Sequence, residues 1–331
     1  TGKRWDTPGH IDDDPRRVGP RGKPYRPWHD ATMALEGPIA AALGELARER
    51  WRCATGASLP PVEGSGEDCW PPSLGQDFTA IPAAISRTAP DYDPVQKCDE
   101  IEALYLDMIA RARRFIYAES QYFASRRIAQ AIMARVREPD GPEIVLINPQ
   151  QADGWLEQAA MDTARARLWE SIGNADSRGR FRIYHPFTSA GSPIYVHAKI
   201  MIVDDALLRV GSSNWNNRSL GLDTECDITI DARGDAAIGS AIRAIREQLM
   251  AEHLGTEPAA VTRAVAETGG LVAAIERMRG PGRSLRPYVP PELNQAEKAL
   301  ADGEILDPES PDEMFEPLST RGLFRRLRRP G

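Results

Sequence analysis

The chain lacks the features that several common protein classes require. Its 331 residues contain no run of about 18 apolar residues, so no membrane-spanning helix is expected. The four cysteines show no paired metal-ligand spacing, which gives no support to a zinc site. The formal net charge is −7, so no overall basic field favours nucleic acid as a partner. A hydrophobic content of 41% is still enough for a packed core, and the length suits two domains.

One segment concentrates side chains that can handle a charged substrate. Residues 196–203 are rich in β-branched and apolar residues, which predicts a buried strand. Because successive side chains of a strand point to opposite faces, His197 and Lys199 are expected on one face. The alternate residues Ala198 and Ile200 can then pack in the core. The pattern therefore predicts an imidazole beside a permanent cation.

A turn and a second strand complete this segment. Asp204 begins the turn, and residues 207–210 predict a return strand that brings Gly211, Ser212 and Asn214 beside the imidazole. Glycine has no side chain, so we expect Gly211 to let a ligand come close. Two-residue alternation puts Asp204 on the face opposite the imidazole. It is therefore expected to hold the hairpin or the backbone rather than to touch substrate.

This set of groups suits a phosphodiester. A phosphate anion needs a cation and hydrogen-bond donors, which Lys199 and Asn214 can supply. A histidine that titrates near neutral pH can attack phosphorus or protonate a leaving alcohol, and His197 is the candidate. No carboxylate cluster lies close to the motif in the sequence, which gives no support to a metal site.

The order His-x-Lys, four residues, Asp, six residues, Gly-Ser-x-Asn resembles the second signature motif of the phospholipase D superfamily, the HKD motif. The likeness continues through residues 215–225 and also covers residues 116–123, 4–8 and 27–30. The last three stretches resemble the phosphatidylcholine-type phospholipases D more than the nuclease branch. The resemblance implies an α/β fold, the phospholipase D-like α/β/α sandwich with a mixed sheet.

The resemblance also implies a mechanism of two displacements. One histidine attacks the phosphodiester and becomes phosphorylated, and the other serves as general acid and base. The resemblance assigns the second role to His197, although the opposite assignment stays open. Glu225 occupies the position of the acid that orients this second histidine, with Asp223 and Asp227 as nearby competitors. Asp30 occupies the position of the equivalent acid for the histidine of the first motif, although an ordinary turn aspartate is an equal alternative. Lys199 and its counterpart in the first motif would balance the phosphate charge, so the resemblance implies that neither a metal nor another cofactor is needed.

A second group of candidates follows a predicted strand. Residues 115–118 predict a strand that ends in Glu119, and Gln121 and Tyr122 come directly after it. Residues at strand ends often contact ligands, so these two are expected to bind the headgroup or the phosphate. Glu119 is equally well explained as a structural ion-pair partner. His185, before a proline, is expected to be a packed histidine rather than a catalyst.

Strands alternate with helices along most of the chain, for example a strand predicted at residues 143–147 and a helix predicted over residues 236–254, which indicates an α/β sandwich. We expect residues 1–90 to belong to an N-terminal half, residues 91–255 to form the HKD domain and residues 256–331 to form a helical and proline-rich extension. The basic end at residues 323–329 either touches anionic lipid or is a solvated tail, and the tail is the preferred interpretation.

No other histidine of the chain is followed by lysine two residues later. Since the family has two such motifs in one polypeptide, we expect the chain to be a fragment that lacks the first motif and is inactive alone. The expected partners are a phospholipid, water or an alcohol as acceptor, the absent first motif and a peripheral membrane surface. A soluble or peripheral protein of the bacterial cytoplasm is expected.

Three other functions stay open. A phosphatidyltransferase resembling cardiolipin synthase would use the same chemistry with another acceptor alcohol. A binding module would hold phosphate or lipid in half a site without turnover. A nuclease with one motif would complete its site by forming a dimer, but the acidic net charge counts against it.

Overall fold

The computed structural model describes residues 4–61, 69–91, 95–152 and 155–291, except for the side chains of residues 155–160. The described strands are β1 (Trp28–His29), β2 (Ala84–Ala89), β3 (Cys98–Asp99), β4 (Phe115–Glu119), β5 (Glu143–Ile147), β6 (Phe181–Phe187), β7 (Tyr195–Val196), β8 (Ile200–Val203), β9 (Leu207–Gly211), β10 (Glu225–Asp231) and β11 (Ser284–Pro287). The described α-helices are α1 (Pro38–Thr55), α2 (Glu100–Arg111), α3 (Arg126–Arg137), α4 (Trp155–Ala175), α5 (Ala236–Leu254), α6 (Pro258–Thr268) and α7 (Leu271–Met278), and a π-helical turn covers Arg218–Leu222.

Nine of the described strands form one mixed sheet in the order β11-β6-β5-β4-β8-β9-β10-β2-β3. Strands β4, β5 and β6 run parallel, and the remaining neighbours pair antiparallel. Every residue of β4 is buried, as expected for a strand covered on both faces. Helices α2, α3 and α4 pack on one face, and α5, α6 and α7 pack on the other. The fold is therefore the expected α/β/α sandwich with a mixed sheet.

The strand predicted over residues 196–203 is interrupted. β7 ends at Val196 and β8 begins at Ile200, so residues 197–199 lie between two strands. β7 leaves the large sheet and pairs in parallel with β1, with Trp28 opposite Tyr195 and His29 opposite Val196. The competing backbone partner, residues 28–29, is the physical reason for the break, and it brings the start of the chain to the signature motif.

The large sheet extends across both domain boundaries that the sequence suggested. β2 lies before residue 90 and β11 lies beyond residue 255, yet both pair with strands of the central segment. The boundaries stay predictions. The basic stretch at residues 323–329 lies outside the described residues. Among the helices that the structure describes, none is long and apolar enough to cross a bilayer.

Candidate active site

His197 is held by a residue from the beginning of the chain. Its ring Nδ1 lies 3.0 Å from Asp30 Oδ2, and its backbone N donates to the carbonyl O of His29 at 2.8 Å. The side chain of His197 is 31% exposed and that of Asp30 is 17% exposed, so the ring is accessible while its partner is mostly covered. Because Nδ1 faces the carboxylate, Nε2 is the nitrogen left for a substrate. Burial raises the pKa of Asp30, but the hydrogen bonds and positive charge around it, His197 foremost, bring the pKa below its usual range.

The partner expected for His197 was Glu225, and this expectation is wrong in the structure. Glu225 instead accepts hydrogen bonds from the hydroxyl groups of Ser212 and Ser219. Asp30, which was assigned to a different histidine, takes the place beside His197. The reason is the parallel pairing of β1 with β7, which carries Asp30 alongside His197. Burial raises the pKa of Glu225, and the two serine bonds only partly offset this.

Lys199 is a buried cation next to the histidine, with 6% of the residue exposed. Its Nζ donates to Gln121 Oε1 at 3.2 Å and also to the carbonyl O of His197. Burial lowers the pKa of Lys199 to about 8, although the carboxylates of Asp30 and Glu225 oppose the shift. The carboxylate of Asp30 thus acts on both Lys199 and His197.

Gln121 connects several groups of the site. Its backbone N donates to Asn214 Oδ1 at 3.1 Å, and its Nε2 lies 2.7 Å from the hydroxyl of Tyr122 and 2.8 Å from that of Tyr195. Its Oε1 accepts a hydrogen bond from Lys199, so both the oxygen and the nitrogen of the Gln121 amide have hydrogen-bond partners. The structure therefore brings Gln121, Tyr122 and Asn214 to the motif, and Tyr195 is a neighbour that the sequence did not suggest.

Gly211 has a different purpose from the one expected. A Cβ atom at this position would lie 2.0 Å from Asp227 Oδ1, so the glycine makes room for an internal carboxylate rather than for a ligand. Asp227 is fully buried with Arg209, which donates from Nε at 2.8 Å. Asp227 Oδ1 also accepts from the backbone N of Ser212 at 3.0 Å. The buried ion pair of Arg209 with Asp227 therefore supports the hairpin that carries Gly211 and Ser212.

Asp204 does not face the other motif residues. It has a positive φ of 55° in the turn between β8 and β9. Its carboxylate accepts hydrogen bonds from the backbone N–H groups of Arg113, Arg114 and Phe115, at 2.6, 2.8 and 2.8 Å. Asp204 thus joins the hairpin to the start of β4, in agreement with the parity of its position.

The comparison with protein families adds an independent observation. The family model described as "Cardiolipin synthase, PLD-like domain" matches residues 105–249. These residues include His197, Lys199, Asp204 and Glu225 in the arrangement given above. The chain contains a phospholipase D-like domain of the HKD superfamily.

The sequence of this phospholipase D-like chain is similar to several curated proteins. It is 25% identical over 333 residues to phospholipase D alpha 2 of Oryza sativa subsp. japonica, with 71% of this chain and 40% of the relative covered. It is 28% identical over 237 residues to cardiolipin synthase A of Pseudomonas aeruginosa strain LESB58, with 71% and 42% covered. The chain thus spans about two fifths of the length of these relatives.

Two solved structures also resemble the phospholipase D-like chain. The family member Nuc from Salmonella typhimurium has 16% sequence identity and a TM-score of 0.32, with 45% of this chain and 84% of Nuc covered. Phosphatidylserine synthase of Haemophilus influenzae Rd KW20 has 13% identity and a TM-score of 0.39, with 74% and 55% covered.

A set of buried residues behind the phospholipase D-like site was missed by the sequence reasoning. Glu119 bonds to His29 and His253, which supports the structural alternative for this glutamate. His185 is buried, and its Nδ1 bonds to the carbonyl O of Asn148 at 2.8 Å. Burial lowers the pKa of His185 to about 3, so it is the packed neutral histidine that the sequence predicted. No local signal could have joined His29 to His253, because the two are far apart in the sequence.

Proposed function

We propose that the chain provides one half of a phospholipase D-type site, which hydrolyses a glycerophospholipid or transfers its phosphatidyl group through a phosphohistidine. The observation that carries this proposal is His197, fixed by Asp30 through Nδ1 and accompanied by the buried cation Lys199. An oriented imidazole beside a cation suits acid/base chemistry on a phosphate ester.

In the first displacement, a nitrogen of a second histidine forms a bond to phosphorus, and the bond from phosphorus to the leaving alcohol breaks. His197 Nε2 gives its proton to the oxygen of that alcohol. In the second displacement, His197 takes a proton from water or from an acceptor alcohol, whose oxygen attacks phosphorus as the P–N bond breaks. Lys199 stabilises the negative charge of the phosphoryl oxygens in both steps.

The cross-pairing of Asp30 with His197 supports an assignment for Glu225. Asp30 lies early in the chain, yet it orients the histidine of the later motif. If the two halves of the site are related by a twofold axis, the acid of the later half orients the histidine of the first motif. Glu225 is the candidate, since its carboxylate accepts hydrogen bonds from Ser212 and Ser219, whereas Nδ1 of His197 faces Asp30. The second histidine would come from another HKD motif, in a longer polypeptide or in a second chain.

The acceptor distinguishes two versions of the proposal. Water as acceptor gives phosphatidic acid, whereas phosphatidylglycerol as acceptor gives cardiolipin. The likeness to phospholipase D alpha 2 supports the first version, and the likeness to cardiolipin synthase A supports the second.

The test uses vesicles of phosphatidylcholine and of phosphatidylglycerol, with lipid products separated by mass spectrometry. The chain is assayed alone and mixed with a protein that carries a first HKD motif. We expect little turnover by the chain alone, phosphatidic acid or cardiolipin in the mixture, and loss of this product with His197→Ala. Equal turnover by the His197→Ala mixture would refute the proposed role of this histidine. Rapid turnover by the chain alone would refute the half-site.

A further inference from the structure

A second cluster of ionisable groups lies behind the candidate site. His29 is 3% exposed and lies between two carboxylates, with Nε2 2.6 Å from Glu119 Oε2 and Nδ1 2.7 Å from Glu252 Oε1. Glu119 ends β4, and Glu252 lies in the last turn of α5. The ring of His29 therefore joins β1 to both the central sheet and a covering helix.

The cluster continues toward the beginning of the chain. His10 lies with Nε2 3.0 Å from Glu252 Oε1 and with Nδ1 3.0 Å from Asp6 Oδ2. Asp6 also pairs with Arg17 at 3.1 Å and accepts a hydrogen bond from the backbone N of Trp28 at 2.9 Å. The series of hydrogen-bonded side chains thus returns to the residue directly before His29.

Glu119 has further partners on the buried side. Its Oε1 accepts from the hydroxyl of Tyr117 at 2.6 Å and lies 3.0 Å from Nε2 of His253. Burial lowers the pKa of His29, but the charges of Glu119 and Glu252 outweigh this, and the net pKa is raised well above its ordinary value. Burial raises the pKa values of both glutamates, but His29 and His253 beside Glu119, and His10 and His29 beside Glu252, bring these pKa values below their ordinary range. His29 is accordingly a buried cation between two carboxylates.

Both segments that contact the candidate site are attached to this cluster. The carbonyl O of His29 accepts the hydrogen bond from the backbone N of His197, and the next residue is Asp30. On the other side, Glu119 precedes Gln121 by two residues, and Gln121 bonds to Lys199. The β1–β7 ladder has only two residue pairs, and so short a ladder gives little stability by itself.

We propose that His29 is a positioning residue. Its ring is held by ion pairs with Glu119 and Glu252, and these contacts fix the segment that presents Asp30 to His197. The catalytic consequence of this inference rests on the proposed function, but the effect on the His197 ring does not. Loss of the ion pairs between His29 and the two glutamates is expected to displace Asp30 and to disturb the His197 ring, without changing any group that contacts substrate.

A bound metal is the competing explanation for such a cluster. His29, Glu119 and His253 could hold an ion, and so could His10, His29 and Glu252. A tetrahedral zinc with bonds of about 2.0–2.1 Å would need ligand atoms roughly 3.3 Å apart. The atoms of His29 and its glutamates are 2.6 and 2.7 Å apart, which suits charge-assisted hydrogen bonds instead. The ion-pair explanation is therefore the one that the distances favour.

The experiment uses the whole chain with isotope-labelled histidine, whose five residues give a readable nitrogen spectrum by NMR. His29→Gln removes the cation, and Glu252→Gln removes one carboxylate charge at a position that is 14% exposed and tolerates change more easily. His185→Gln is the matched control, a buried histidine outside the cluster. We expect wild type and the control to keep the proton of His197 on Nδ1. Both cluster variants should give a mixture of tautomers, with the larger change in His29→Gln.

Should His29→Gln fail to fold, Glu252→Gln decides the question. A folded cluster variant with the His197 signals of wild type overturns the proposal. So does stoichiometric zinc that remains after dialysis of wild type and is lost from His29→Gln. Where phospholipid turnover is present, kcat of His29→Gln should fall between about 10-fold and 100-fold, with KM changed by less than about twofold. Absence of turnover in the mixture of wild type with a first HKD motif, with the tautomer change intact, counts against the proposed function and leaves His29 as a positioning residue.

Discussion

Replacing Asp30 with asparagine tests the central contact of the candidate site. The substitution keeps the shape of the side chain and removes the charge that faces Nδ1 of His197 at 3.0 Å. Two unit charges with centres about 4 Å apart attract by about 4 kcal/mol at an effective dielectric constant of 20. Because 31% of the His197 side chain is exposed, solvent reduces this to about 2 kcal/mol at the lower limit. The expected loss of kcat/KM is therefore roughly 30-fold to 1000-fold.

The assay for Asp30→Asn is release of phosphatidic acid or cardiolipin by the active mixture, with the melting temperature measured in parallel. The matched control is Asp204→Asn, at the motif aspartate whose carboxylate bonds to backbone N–H groups of residues 113–115. Asparagine tolerates the positive φ at this position, so the control reports the lost carboxylate. We expect Asp204→Asn to lower the free energy of unfolding by about 2–4 kcal/mol and to keep the turnover of the folded protein. A turnover of Asp30→Asn within about threefold of wild type would refute the reasoning.

Three further predictions follow from the same geometry. Since the pKa of Lys199 is about 8 in the folded chain, kcat/KM should fall as pH rises through this value, and Lys199→Met should abolish turnover at every pH tested. Glu225→Gln should reduce turnover of the mixture while the tautomer of His197 stays unchanged, because Glu225 bonds to Ser212 and Ser219 rather than to the ring; a change in the tautomer would contradict this. The lowered pKa values of Glu119 and Glu252 stabilise the fold above the unfolded value of about 4.3, so the free energy of unfolding should fall below that pH, by up to about 1.4 kcal/mol per pH unit and group. Denaturant titrations at several pH values measure this slope, and Glu252→Gln should flatten it.

Much of the fold could be predicted because its signals are local. Helix α5 was expected over residues 236–254 and has these bounds in the structure, since its apolar period and its terminal Gly255 lie within one stretch of sequence. β5 was likewise expected at residues 143–147. The same local reasoning was wrong about the strand at residues 196–203. β7 ends at Val196 because its backbone pairs with residues 28–29 and not with the large sheet, and these residues lie more than 160 positions earlier in the chain.

Some residues of the candidate site could likewise be predicted from local sequence, and others could not. His197, Lys199, Gln121 and Asn214 were found because their spacing carries the chemistry, and the structure brings them together. The partner of His197 could not be read from spacing, because Glu225 and Asp30 are both acids at positions that the resemblance marks. Which of them meets the ring is decided by the register of β1 on β7, a tertiary contact without a local signature. The histidine cluster behind the site was missed for the same reason, since His29 and Glu252 are separated by 223 residues.

This dependence on distant contacts has a consequence for how the site loses order. Asp30 is held in place by a two-residue ladder and by the charges around His29, and the charges are the part that responds to pH. When Glu252 and Glu119 take up protons, His29 loses the carboxylates that make its burial favourable, while the apolar core of the sheet keeps its contacts. On acidification, the His197 ring should therefore leave Asp30 before the sheet unfolds. A nitrogen spectrum of the histidines and the far-UV circular dichroism, followed on one sample as pH falls, would separate the two events. Coincident transitions would mean that the cluster supports the whole fold rather than the segment at Asp30.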